Sequence, residues 1–372
     1  MSTLPHPTRR SILLLGLILI SSVLLAGCGS GGALTAASWP GLSIDDTNAY
    51  LAYGPTVYAI DLTTNRESWH YPPEPNRTAS FFASPAPSEG GLVIVGGYDN
   101  IVYALDPSTG GDVRSAWIFE DASGNIIGGT VVAEDIVLVP SADSNLYALD
   151  LSTGDPVWTQ PFNTDEALWS APLVDGNVIY LASLDHRVYA IDLPTGRELW
   201  KTEPLNGAIA DTPTLAGDLI LVGTFNSQIV AVDTERRGEI AWAFDTSGWV
   251  WGSPAVADDL AFFGDYMGLA YAVDITNGQE VWRVTVDGPV TTTPAHRDGV
   301  IFFVTEAGTV YAFETDSGKP FWTSNPILNG RLLSDPVLSG DTLLVATMDN
   351  PCVISAIETE TSATRCLLQF EE

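Results

Sequence analysis

The segment RVYAIDLPTGRELW, residues 187–200, decides the fold because related copies of it recur along the chain. Each copy carries an acidic residue at the position of Asp192, and successive acids are 40 to 45 residues apart. Self-similarity at a period of this length is typical of repeat architectures such as β-propellers. The eight acids are Asp61, Asp106, Asp150, Asp192, Asp233, Asp274, Glu314 and Glu358.

Each repeat also contains short apolar runs that predict buried β-strands. NVIYLAS at residues 177–183 and GVIFFVT at residues 299–305 are nearly continuous in hydrophobicity, which indicates strands covered on both faces. A second landmark, mostly Pro, lies about twenty residues before each acid, so one period accommodates four strands. The sequence therefore predicts an all-β fold, an eight-bladed β-propeller of four-stranded antiparallel blades over residues 33–372.

A tight turn follows the acid, where Gly196 can take the positive φ that a hairpin requires. Counting symmetrically about this turn pairs Asp192 with Arg197, and hence Tyr189 with Trp200. Every copy has Ala directly after the Tyr position, and we expect its small methyl group to leave room for an indole ring from a neighbouring blade. The predicted docking positions are Ala59, Trp69, Ala104, Trp117, Ala148, Trp158, Ala190, Trp200, Ala231, Trp242, Ala272, Trp282, Ala312 and Trp322.

This combination resembles the tryptophan-docking repeats of the PQQ-type quinoproteins and of the BamB family of outer-membrane assembly lipoproteins, and the resemblance covers all eight repeats. The resemblance implies a non-enzymatic scaffold that binds other envelope proteins, with a role in outer-membrane protein assembly. The eighth copy departs from the pattern, with Ser355 in place of Tyr and Cys366 in place of Trp. Ring closure should therefore be the weakest seam. Its outer strand could come from residues 33–38 or from residues 364–370.

Resemblance to quinoproteins raises the question of a PQQ cofactor. Quinoprotein dehydrogenases carry a disulfide between adjacent Cys residues and a calcium ion beside a catalytic Asp, whereas this sequence has no Cys-Cys pair. His70, His186 and His296 are scattered over different repeats, unlike zinc ligands. We therefore expect no PQQ, no metal site and no catalytic residues. A propeller that binds a small ligand or glycan is the alternative to a protein scaffold.

The N-terminal residues predict export. Two arginines precede an apolar run over residues 12–25, which is too short to span a bilayer comfortably and fits a signal peptide over residues 1–27. The sequence LAGC at residues 25–28 resembles a bacterial lipobox, which implies a lipid on Cys28 and a Gly/Ser tether over residues 28–32. The expected location is the outer membrane, or the outer face of the cytoplasmic membrane in a host without one.

Charge narrows the possible partners. Without residues 1–27 the chain has 13 basic and 46 acidic residues, which argues against nucleic acid as a partner. The expected partners are the membrane, through the lipid anchor, and another envelope protein.

Two further residue groups leave alternatives open. Five aromatic residues precede blade starts, where they could form a binding face or plug the mouth of the central channel: Phe81, Phe82, Trp169, Trp249 and Trp251. An exported chain would favour a disulfide between Cys352 and Cys366. The repeat register opposes it, because Cys366 should face Ser355.

Overall fold

The computed structural model describes residues 39–74, 80–109, 114–324 and 328–370. The predicted signal peptide, Cys28 and the tether lie outside these ranges. Eight antiparallel sheets follow one another along the chain, each built from consecutive strands. This arrangement confirms the predicted eight-bladed propeller of four-stranded blades. Within the described ranges, no helix is long and apolar enough to cross a membrane.

Each of the first four blades contains four strands that are consecutive in the chain. A 3₁₀ turn, Pro107–Thr109, follows the third strand of blade two. The bounds are β1 Gly41–Ile44, β2 Asn48–Tyr53, β3 Thr56–Asp61 and β4 Arg66–Tyr71 in blade one; β5 Ala86–Pro87, β6 Val93–Gly96, β7 Val102–Asp106 and β8 Arg114–Phe119 in blade two; β9 Val131–Ala133, β10 Ile136–Pro140, β11 Asn145–Asp150 and β12 Phe162–Asn163 in blade three; and β13 Leu173–Asp175, β14 Val178–Ala182, β15 Val188–Asp192 and β16 Arg197–Lys201 in blade four.

The last four blades repeat this order, and blade eight has one additional short strand that pairs with its second strand. The bounds are β17 Thr214–Ala216, β18 Leu219–Thr224, β19 Gln228–Asp233 and β20 Glu239–Asp245 in blade five; β21 Ala255–Ala257, β22 Leu260–Gly264, β23 Leu269–Asp274 and β24 Glu280–Thr285 in blade six; β25 Ala295–Arg297, β26 Val300–Val304, β27 Val310–Glu314 and β28 Pro320–Thr323 in blade seven; and β29 Arg331–Leu332, β30 Val337–Ser339, β31 Thr342–Met348, β32 Cys352–Glu358 and β33 Thr364–Gln369 in blade eight.

The middle strands of each blade are buried on both faces because neighbouring blades cover them. In β22 and β23, Phe263 and Tyr271 are fully buried and share a cluster with Ile229 of the preceding blade. Burying a side chain of this size contributes about 1.5 to 3 kcal/mol. The core is thus distributed over the seams between blades.

The register of the hairpin that follows the acid differs from the register predicted by counting symmetrically about the turn. Asp192 pairs with Arg197 as predicted, but a β-bulge between Ala190 and Ile191 places Trp200 opposite Ala190. The predicted pair of Tyr189 with Trp200 is therefore wrong. The same bulge follows the Ala in six blades, so the Ala methyl accommodates the Trp of its own hairpin.

Six of the seven indoles dock on the turn of the next blade within the described residues. The ring N–H of Trp158 donates to the carbonyl of Leu193 at 2.9 Å, and a Cβ on Gly196 would lie 2.6 Å from the same ring. Glycine at this turn is required both by its φ of +69° and by this close approach. Equivalent ring N–H bonds join Trp117 to Leu151, Trp242 to Ile275, Trp282 to Thr315 and Trp322 to Thr359.

Blade eight supplies its own outer strand, β33, so of the two possible closures the one from residues 364–370 is observed. Cys366 lies opposite Ser355, as the register predicts. Irregular pairing around Ile354 nevertheless brings Cys352 and Cys366 into a disulfide. Contacts with blade one replace the absent Trp, because Phe370 packs on Tyr58 with ring centroids 5.0 Å apart.

Candidate functional site

One face of the propeller is formed by the turns between the second and third strands of the blades. In six blades, the turn donates a backbone hydrogen bond of 2.8 to 3.2 Å to the connection that precedes the blade. These bonds hold turns and connections together at the same end of the ring. The side chains at this repeat position are Tyr98, Ala142, Leu184, Phe225, Tyr266 and Glu306.

A tyrosine–aspartate hydrogen bond fixes several of these turns. The hydroxyl of Tyr189 donates to Asp185 at 2.6 Å, and Tyr103 donates to Asp99 at 2.7 Å. Burial and this bond raise the pKa of the Tyr189 hydroxyl, so it stays a neutral donor. The turn aspartates therefore hold the turns of this face in position through these hydrogen bonds, in addition to favouring tight turns.

Seven aromatic side chains form a continuous aromatic ribbon across this face. Neighbouring ring centroids along it are 4.8 to 6.1 Å apart. Its most accessible members lie at or beside its two ends: Trp249 is 55% exposed, Tyr266 49% and Tyr98 46%. In order of contact, the aromatic ribbon consists of Tyr98, Phe82, Trp39, Trp251, Phe225, Trp249 and Tyr266.

Three of the five predicted face residues, Phe82, Trp249 and Trp251, lie in this ribbon. Trp169 lines the central channel instead. The prediction for Phe81 is wrong: it is fully buried and packs on Tyr103 with ring centroids 5.7 Å apart. Successive residues of an extended segment point to opposite sides, so when Phe82 faces the channel Phe81 enters the core.

Four members of the ribbon were missed by sequence reasoning: Trp39, Tyr98, Phe225 and Tyr266. Three of them, Tyr98, Phe225 and Tyr266, share the repeat position at the turn after the second strand. Aligning the turns, in addition to the acids, would have revealed them. Of the predicted aromatics, Trp169 and Trp251 line the channel, whereas Trp249 is exposed.

The channel opens beside the ribbon as a cavity of about 390 Å³. Three tryptophans, Trp39, Trp169 and Trp251, contribute to its lining and are called the tryptophan wall below. Three acidic residues, Asp211, Glu306 and Asp335, also line it and are called the channel carboxylates. Among the described residues, no Lys, Arg or His side chain lines this cavity.

Two of the channel carboxylates are tied to neighbouring blades. Asp211 accepts backbone N–H groups from Thr212 at 2.7 Å and Ser253 at 2.9 Å, and Asp335 accepts that of Thr293 at 2.8 Å. Burial raises the pKa of Asp211. Asp335 is exposed to the channel, but desolvation by the channel walls and the nearby Asp211 charge raise its pKa to about 7. Asp335 therefore titrates near neutral pH.

In the part of the chain that the structure describes, no three His, Cys, Asp or Glu side chains are grouped so that they could bind a metal ion. The disulfide lies in blade eight, formed by Cys352 and Cys366. The arrangement offers instead an exposed aromatic surface and an acidic channel, both suited to binding.

The fold and the docked indoles define a PQQ-type repeat propeller. More specifically, the chain belongs to the family of the outer membrane protein assembly factor BamB, whose sequence profile matches residues 99–236 and 226–359. No curated protein sequence matches the chain.

Solved structures agree with the fold. BamB from Moraxella catarrhalis is 19% identical with a TM-score of 0.69, covering 85% of this chain and 92% of that one. The computationally designed Ika8 protein is 16% identical with a TM-score of 0.69, covering 87% and 98%. Sqt1 from Saccharomyces cerevisiae is 13% identical with a TM-score of 0.70, covering 83% and 92%. At these identities the likeness concerns the fold alone.

Proposed function

We propose that the protein is a non-enzymatic lipoprotein of the cell envelope whose propeller binds another envelope protein during outer-membrane protein assembly. Membership of the BamB family supports this role. The observation that carries it is the aromatic ribbon, because the ribbon gives this propeller a specific surface with which to bind.

The composition of the ribbon suits a protein interface. Tyr and Trp are enriched at interfaces and among the residues that dominate binding energy. Trp249 is 55% exposed and Tyr266 is 49% exposed, and their ring centroids are 6.1 Å apart. Covering these rings with a partner would remove apolar surface from water, which favours association.

The ribbon is also held in place before any partner arrives. The backbone N–H of Tyr266 donates to the carbonyl of Trp249 at 2.9 Å, and Asp265 accepts the N–H of Gly248 at 3.0 Å. A surface that is already ordered loses less conformational entropy on binding. The net charge of −31 further favours a partner with a basic contact surface.

The predicted lipid on Cys28 would keep the propeller at the membrane where such a partner resides. A single acyl chain binds membranes only marginally, so a diacylated Cys is the form that fits stable retention. Mass spectrometry of the membrane-extracted protein tests this part: a diacylglycerol-modified Cys28 at the N-terminus is the expected product. An unmodified Cys28 in a secreted protein would contradict it.

Affinity capture from solubilised membranes tests the scaffold role. The wild-type chain should co-purify with barrel-assembly components, and Trp249→Ala combined with Tyr266→Ala should reduce the recovery. Truncating an interface anchor costs about 2 kcal/mol or more, which is roughly a thirtyfold loss of affinity.

The matched control is Phe321→Ala. Phe321 lies on outer strand β28 of blade seven, away from the ribbon, and is 47% exposed. Its replacement should leave recovery unchanged. Wild-type protein that emerges alone, or equal losses in both variants, would contradict the proposed function.

A further inference from the structure

The two positions ahead of each landmark Pro are occupied by small residues almost throughout the ring. The first of them is Ala83, Gly128, Ser170, Gly252, Thr292 or Ser334, and the second is Ser84, Gly129, Ala171, Thr212, Ser253 or Thr293. Asp211 departs from this rule at the first position, and Asp335 departs from it at the second. Each of these carboxyl groups accepts a backbone N–H from the neighbouring blade, but the other blades pack with small residues at the same positions, so packing alone does not require an acid there.

Both acids lie where a negative charge is costly. They face the same cavity as Glu306, and among the described residues no cationic side chain lines that cavity. Asp335 is exposed to the channel, and within the described residues it accepts the backbone N–H of Thr293 at 2.8 Å. Like charges that share a cavity raise each other's pKa, and a cationic partner relieves their repulsion. Perturbed acids in a cleft are typical of functional sites.

An unsatisfied hydroxyl lies beside these acids. Ser334 precedes Asp335, lines the same cavity and is only 7% exposed, yet its Oγ has no hydrogen-bond partner. Thr292, which holds the equivalent position in blade seven, also has a buried hydroxyl without a partner. Thr292 does not line the cavity, whereas Ser334 does. Because buried polar atoms are nearly always hydrogen-bonded, the Ser334 hydroxyl points to a donor or acceptor from a ligand.

The tryptophan wall completes the cavity. Trp39 takes the place that small residues hold in most other blades, and its ring centroid is 6.0 Å from that of Trp251. Aromatic faces attract cations through the negative potential above the ring, most strongly for Trp. Carboxylates and indole rings in one cavity thus favour the same kind of ligand.

We propose that the central channel binds an organic cation with an ammonium or guanidinium head, held between the channel carboxylates and the tryptophan wall. The head donates hydrogen bonds to the carboxylates, and its alkyl stem lies against the indoles. A bare metal ion fits less well, because no three acidic, His or Cys side chains among the described residues converge on one point. The inference is independent of the proposed scaffold role.

Isothermal titration calorimetry with agmatine, at fixed ionic strength and pH 8, tests the proposal. The wild-type protein should bind one agmatine saturably, and Asp335→Asn should weaken binding at least tenfold. Asn retains an amide oxygen to accept the Thr293 N–H, and thermal unfolding checks that the variant folds. The control is Asp155→Asn, which removes an exposed turn carboxylate outside the cavity and should bind as the wild type does.

A pH series on the wild-type protein needs no variant. The titratable groups that line the described cavity are Asp211, Tyr266, Glu306 and Asp335. A cation must displace the proton held near neutral pH, so affinity should fall about tenfold between pH 8 and pH 6. Agmatine represents a free amine, and a blocked Gly-Arg-Gly peptide represents a side chain from a partner. Saturable binding of either, with this pH dependence, supports the shared chemistry.

Three results would overturn the inference. The first is that neither probe binds saturably to the wild-type protein. The second is that Asp155→Asn weakens binding as much as Asp335→Asn, which would indicate diffuse attraction to an acidic surface. The third is an affinity that stays constant between pH 8 and pH 6.

Discussion

Replacing Gly196 by Ala tests how the blades are joined. Gly196 has a φ of +69°, and a Cβ there would lie 2.6 Å from the ring of Trp158 in the preceding blade. Carbon atoms pack at about 3.5 to 4.0 Å, so the indole must move by roughly 1 Å. Gly176 in the same blade has a φ of +53° with nothing within 4 Å of its Cβ position, which makes Gly176→Ala the matched control.

The two substitutions share the backbone strain, about 1 to 2 kcal/mol for a left-handed Ala. Only Gly196→Ala adds overpacking, about 1 to 3 kcal/mol, and weakens the Trp158 hydrogen bond to Leu193, about 1 kcal/mol. We therefore expect Gly196→Ala to lower the free energy of unfolding by about 2 to 4 kcal/mol more than Gly176→Ala. Urea unfolding followed by circular dichroism measures the difference.

A double-mutant cycle checks that the indole is responsible. In a Trp158→Ala background the clash is absent, so Gly196→Ala should cost no more than Gly176→Ala. Equal effects of the two glycine substitutions in the wild-type background would refute the docking argument. So would an excess cost of Gly196→Ala that persists without the indole.

Three further outcomes are expected. Joint replacement of Cys352 and Cys366 by Ser should lower the free energy of unfolding by about 3 kcal/mol, because the disulfide closes a loop of 14 residues; unchanged urea midpoints would argue against it. Since the folded-state pKa of Asp335 is raised to about 7, stability should fall as pH rises from 4 to 7, and Asp335→Asn should flatten that slope in a series of thermal unfolding curves. Adding agmatine at pH 8 should raise the melting temperature of the wild type by more than that of Asp335→Asn.

Most of the fold could be predicted from the sequence of the repeat. The spacing of acids such as Asp192, the turn glycine and the apolar runs sufficed for blade number and strand count, because each depends on local chemistry. The strand register that pairs Trp200 with Ala190 could not be predicted in this way, because a β-bulge adds a residue that a symmetric count about the turn leaves out. Strand pairing in blade eight is similarly irregular, which is how Cys352 reaches Cys366.

The candidate site was only partly predictable. Trp249 and Trp251 could be predicted as face residues because they precede the start of a blade. Tyr98 and Phe225 come close to them only in the closed ring of blades. Phe81 shows the opposite problem, since neighbouring aromatic residues in an extended segment face different environments. The channel acids escaped notice because their signal is a departure from small residues at one repeat position, and their proximity depends on blades that are far apart in sequence.

Site-specific photo-crosslinking in intact cells tests the scaffold role most directly. A photoreactive phenylalanine at Tyr266, in the aromatic ribbon, is compared with one at Phe321; the native side chains are 49% and 47% exposed. We predict an adduct with a barrel-assembly component from position 266 and none from position 321. No adduct from position 266, or the same adduct from both positions, would contradict the assignment of the ribbon as the interaction surface.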